Sequence, residues 1–91
     1  MEDLGSPISY MVLEPGVAVF SSDGERLGSV VSVERDTATD IFDGIVFAAE
    51  VRFFGRRFVD APEVGEIYER GVILRIDASA AAELPERRRF A

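Results

Sequence analysis

The stretch Phe20-Ser21-Ser22-Asp23-Gly24-Glu25-Arg26-Leu27-Gly28-Ser29-Val30 decides the fold class. Before it, Val17-Ala18-Val19-Phe20-Ser21 is rich in β-branched and aromatic residues, which suit a pleated surface. Asp-Gly between two apolar runs is a strong hairpin signal. After it, Leu27 to Glu34 resumes as a strand. Side chains alternate with period two, so Leu27, Val31 and Val33 are expected on one inner face. Gly28 falls where a barrel strand bends or packs closely.

The same grammar continues outward. Arg35 to Asp40 is polar and turn-like, and Asp43-Gly44 then introduces Ile45-Val46-Phe47-Ala48-Ala49-Glu50-Val51. Ile45, Phe47, Ala49 and Val51 form one stripe, while Val46 and Ala48 are apolar on the other face. A strand apolar on both faces belongs in the middle of a sheet or under a cover. Arg52-Phe53-Phe54-Gly55-Arg56 is expected to be a hairpin tip, with Gly55 supplying the unusual backbone angle. Arg57 to Asp60 returns, Ala61 to Val64 connects, and Glu66 to Tyr68 is a short strand followed by a turn at Glu69-Arg70-Gly71. Val72, Leu74 and Ile76 alternate inward against outward Arg75 and Asp77. Asp77 or Ser79 is placed to cap a short helix over Ala80 to Leu84, ended by Pro85.

Toward the N-terminus, Met1 to Pro15 forms an extension. Its apolar part, Ile8 to Leu13, fits an edge strand or a short helix, and Pro15-Gly16 marks a turn. The expected organisation is therefore an extension over 1–15, a domain over 16–85 and a charged tail over 86–91. The expected fold class is all-β: a small barrel of about six short strands with a short C-terminal helix.

The order of these pieces resembles the PRC-barrel family. The Asp23-Gly24-Glu25-Arg26-Leu27-Gly28-Ser29-Val30 run resembles its opening hairpin, with the pattern D-G-x-x-(I/L/V)-G-x-V. Asp43-Gly44-Ile45-Val46, then Phe58-Val59-Asp60-Ala61 with Val64, then Gly71-Val72-Ile73-Leu74, look like its later strands. Leu84-Pro85 resembles its terminal short helix. The likeness covers roughly residues 16–85. It implies a compact β-barrel used for protein contact, and it does not imply catalysis. The family joins the cytoplasmic domain of the photosynthetic reaction centre H subunit with the C-terminal domain of a ribosome maturation factor. The transmembrane helix of the first and the RNA-associated domain of the second are both missing from these residues. Neither role is carried over, because fold alone does not carry function.

Composition narrows the chemistry. The 91 residues contain no histidine and no cysteine. Disulfides, thiolate metal sites, cysteine nucleophiles and the commonest general base are excluded together. Every basic residue is arginine, so Schiff-base chemistry and a P-loop lysine are excluded as well. A net charge of −7 repels phosphate backbones. No apolar run approaches the ~18–20 residues that span a bilayer, and Met1 to Gly16 does not have the form of a signal peptide. The expectation is a cytoplasmic chain that is not an enzyme and carries no cofactor or metal. Neither nucleic acid nor membrane is expected as a partner. A domain of this size buries only ~60–65% of its unfolded surface, so a homo-oligomer is expected to supplement the core.

Four groups of residues are candidates for more than scaffolding. Arg52, Phe53, Phe54, Arg56 and Arg57 form the candidate interface. Adjacent residues of a strand point to opposite faces, so both rings cannot enter one core, and aromatic and arginine side chains are enriched at interface hot spots. Their plainer reading is that the extension or the last helix covers the second ring. Asp36, Asp40 and Asp43 are the densest carboxylate group and would suit a hard cation, but they lack the spacing of a calcium loop; a solvated turn is the simpler reading. Asp23 and Glu25 would form an acid–base pair only if burial split their affinities for protons. Arg87-Arg88-Arg89-Phe90 is a basic tail on an acidic body, read as a terminus attracted to the chain's own acidic face. The favoured function is a non-enzymatic protein-binding or scaffold module that self-associates. The alternative is a small-ligand or ion-binding regulatory domain using a barrel mouth or the Asp36–Asp43 loop.

Overall fold

The computed structural model describes residues 3–50 and 55–86. Six strands form one sheet: β1 (Ala18–Phe20), β2 (Arg26–Asp36), β3 (Ile41–Ala49), β4 (Arg56–Asp60), β5 (Val64–Tyr68) and β6 (Gly71–Leu74). One helix follows, α1 (Ala78–Ala81). The order across the sheet is β4-β3-β2-β1-β6-β5. Except for β4 and β5, neighbours in sequence pair antiparallel, whereas β1 and β6 pair parallel, with Ala18, Val19 and Phe20 opposite Gly71, Val72 and Ile73.

The expected closed barrel is corrected to an open sheet. Among the described residues, β4 and β5 are its two ends and do not pair with each other. Yet only Ala61–Glu63, a 3-10 turn, separates them in the chain. The four steps from Asp60 to Val64 reach at most ~14 Å. The sheet must therefore curl until its two ends lie close. Curling places side chains from every strand in one core: Val19, Leu27, Val30, Ile45, Phe47, Val59, Val64, Val72 and Leu74, closed at the C-terminal side by Ala78 and Ala81 of α1.

Bulges supply the curvature. Register shifts occur between Val19 and Phe20 of β1, and twice within β2, between Val30 and Ser32 and between Glu34 and Arg35. Each extra residue resets the alternation. As a result Val30 is buried in the core and Val31 is only half-buried, although strict alternation from Leu27 places Val31 inside. Leu27 and Val33 do pack on the core as expected.

Asp43-Gly44 is the second correction. It lies within β3, and the turn is Thr37 to Asp40, inside the expected Arg35–Asp40 stretch, with Asp40 at φ +58°. Gly44 is buried at φ +153°, and a Cβ there would strike the Val59 carbonyl across the ladder. Its role is close approach of two strands.

The sheet's ends are covered by the chain itself. Beyond β5, residues 4–8 run antiparallel to it. Ile8 N–H donates to Ile67 O (2.9 Å), Glu69 N–H to Ser6 O (3.0 Å) and Arg70 N–H to Leu4 O (2.9 Å). Beyond β4, Phe58 N–H donates to Pro85 O (3.0 Å). Such covers satisfy an edge that would otherwise pair with another chain. The Ile8–Leu13 alternative thus resolves into both readings in turn: a paired segment through Ile8, then a 3-10 turn at Tyr10–Val12 capped by the Ser9 hydroxyl.

Candidate interaction surface

The arginine–phenylalanine cluster divides at the hairpin tip. Arg52, Phe53 and Phe54 lie outside the described residues. Gly55 follows at φ +89°, the angle expected of it. Arg56 is exposed opposite Ala48. Arg57 pairs with Phe47 across the ladder and is half-buried, and its Nη1 donates to Leu84 O at 3.1 Å. Its guanidinium therefore ties the segment after α1 to the end of the core.

Of the three loop aspartates, Asp36 and Asp40 are committed locally. An oxygen of Asp36 accepts from Ala38 N–H (2.9 Å) and shapes the turn. Asp40 pairs with Arg35 at 3.2 Å, and Asp43 is exposed on β3. Among the described residues, no group of three or more carboxylates is arranged to hold a metal ion. In the first hairpin, the buried Ser21 hydroxyl donates to Asp23 and accepts from Glu25 N–H (3.0 Å). Asp23 thus serves the loop beside Gly24, whose φ is +87°. On β5, Tyr68 O–H donates to Glu66 Oε2 at 3.0 Å. That hydrogen bond, with some desolvation and the repulsion of the carboxylate, raises the phenol above its ordinary value. The basic tail beyond Glu86 lies outside the described residues.

A different surface emerges where the extension meets the start of β3. Tyr10 stacks on Phe42, with ring centroids 4.6 Å apart and planes 17° from parallel. Its hydroxyl donates to Asp40 O at 3.0 Å. The neighbours of these rings in sequence are left to water: Met11 is 60% exposed, Val12 61% and Ile41 59%. Among the described residues these are the large apolar side chains that remain exposed. The sequence carries part of the signal, since Ile8–Leu13 is an apolar stretch and Ile41-Phe42 is an apolar pair beside a polar turn. Nothing in either stretch says that the two meet.

Behind the 3-10 turn, part of the segment from Ser9 to Gly16 stands off the sheet, although Leu13 is buried in the core and Gly16 N–H donates to Val30 O (2.8 Å). An open cleft of about 670 Å³ separates that part from the sheet, with Ile8, Val12 and Pro15 on one side and Val17, Arg26 and Arg70 on the other. Arg26 pairs with Glu50 at 3.2 Å, and Arg70 lies 3.9 Å from an Asp3 carboxylate oxygen and also donates to Asp3 O.

No protein-family model and no curated protein matches this chain. Among the described residues, no helix is long and apolar enough to cross a membrane.

Proposed function

We propose that this chain is a non-enzymatic protein-contact module of the PRC-barrel kind, and that its first partner is another copy of itself. The observation that carries the reading is the exposed apolar group Met11, Val12 and Ile41 beside the Tyr10–Phe42 stack. Single exposed apolar residues need no explanation, but several gathered around an aromatic pair mark a contact surface. The family resemblance rests on the sequence motifs of residues 16–85, and a small β-rich domain with a single core is compatible with it. A chain with neither histidine, cysteine nor lysine, and with Asp36 and Asp40 of its densest carboxylate group engaged in a turn and an ion pair, offers little to a catalytic reading.

The test is molar mass by light scattering after gel filtration, over a concentration series. A mass of two or more copies is expected, falling toward one copy in Ile41→Ser or Met11→Ser while the far-ultraviolet circular dichroism is unchanged. Phe53→Ser and Phe54→Ser form a parallel arm for the hairpin tip. A single-copy mass at every concentration would overturn the reading. The small-ligand alternative, expected at a barrel mouth or the Asp36–Asp43 loop, would have to turn to the cleft beside Arg26 and Arg70. Both guanidiniums already have carboxylate neighbours there, which favours the contact reading.

A further inference from the structure

We infer that residues 4–8 are an exchangeable strand, which pairs with β5 of a second copy of this chain as it pairs with its own. The inference deepens the self-association reading and rests on it.

The contacts of this segment form a separable set. Three main-chain hydrogen bonds join it to β5 and the turn that follows, one at Ile67 and two at Glu69 and Arg70. One apolar anchor, the buried Leu4, lies over Gly71 on β6; a Cβ at Gly71 would come within 2.8 and 2.9 Å of the two Leu4 methyls. One ion pair joins Asp3 to Arg70. Pro7 sits opposite Tyr68 at a position whose backbone makes no ladder hydrogen bond, because Ile8 N–H and Glu69 N–H make the bonds on either side. Proline's missing N–H therefore costs nothing there. Every one of these partners is present on any other copy, so the same contacts form in trans with the same geometry. Only the connection decides between the two arrangements.

That connection, Ser9 to Gly16, is bound to the body at separate points only: Tyr10 stacks on Phe42 and Gly16 N–H donates to Val30 O (2.8 Å). It buries Leu13 but leaves Met11 and Val12 in water, and the cleft of about 670 Å³ runs beneath it. An exchange brings two such connections together, which offers these side chains cover that the single chain lacks. The opposing term is electrostatic, since each copy carries a charge of −7. The exchanged form is therefore favoured by concentration and by salt, which screens that repulsion.

The chain contains no cysteine, so engineered thiols report without background. Residues facing each other at a pair without hydrogen bonds lie ~4.5 Å apart at Cα, within disulfide reach. Pro7→Cys and Tyr68→Cys are made separately, one copy carrying a mass tag. The two are mixed over a concentration series at low and high salt, then oxidised and resolved on a non-reducing gel. A mixed disulfide dimer is expected, rising with concentration and salt and several-fold above a Pro7→Cys plus Ser79→Cys control. The double variant in one chain is expected to close an internal disulfide in dilute solution. Absence of that internal bond would overturn the placement of the strand. A mixed dimer no stronger than the control, in samples whose light-scattering mass is still that of an oligomer, would overturn the exchange and leave self-association standing. A single-copy mass with no mixed dimer would overturn both.

Discussion

Gly28 faces the Ala48 carbonyl so closely that a single added carbon has nowhere to go. The residue is not there for an unusual backbone angle. It is there because β2 and β3 approach each other beside the bulge at Leu27. Gly28→Ala is expected to cost about 2 kcal/mol, within the usual range for overpacking a filled site. Urea unfolding reads this as a lower midpoint at unchanged slope. An unaltered midpoint would mean that the two strands part at no cost. The sequence offers a bend or close packing at Gly28, and the structure has the close packing. At Gly44 the same kind of residue was read as part of a turn, because Asp-Gly carries that meaning when no ladder is visible. The difference lies in Val59, whose carbonyl crowds Gly44 from a strand fifteen residues further along. A contact at that separation leaves no local trace in the sequence.

At the scale of elements, legibility follows regularity. β6 ends at Leu74, yet the alternation runs on past it: Val72 and Leu74 are buried, Ile76 packs on the core, and Arg75 and Asp77 are exposed. β2 does not keep such alternation, because its bulges reset which face each residue occupies, and a bulge has no composition of its own. The helix shows an intermediate case. Of the two capping residues weighed, Asp77 is the one used: an oxygen of its side chain accepts from Ala80 N–H at 2.8 Å. The helix accordingly starts at Ala78, two residues before the expected Ala80. Asp77→Ala is expected to destabilise the fold by about 1 kcal/mol, the usual cost of a lost N-cap, while Ser79→Ala at an exposed position leaves the thermal midpoint unchanged. Equal effects of the two changes would show that the cap is not what holds α1.

For the whole molecule, the decisive fact is a single core shared by all six strands. Phe47, with no exposed surface, is its largest fully buried side chain. Phe47→Ala is expected to cost about 3–5 kcal/mol and to lower one cooperative transition seen alike by circular dichroism and fluorescence. Two separated transitions would mean that the curled sheet is not one unit. The β class and the count of strands were legible because turn residues punctuate the chain so evenly. Whether the sheet closes was not legible, since that depends on two edges that never adjoin in sequence. The exposed apolar group was equally hidden, because it forms only when the 3-10 turn of the extension meets the start of β3.

The parallel seam between β1 and β6 sets the tempo of assembly. Antiparallel neighbours are joined by short turns and meet quickly. Residues 18–20, in contrast, must find residues 71–73 across most of the chain. A loop of that length closes slowly, and its entropy is lost before any contact at the seam compensates for it. Two half-sheets, β1 to β4 and β5 to β6, therefore have time to exist apart. The meeting of three residues of β1 with three residues of β6 is therefore the step expected to limit folding, and slower refolding in a variant that weakens this seam is the check.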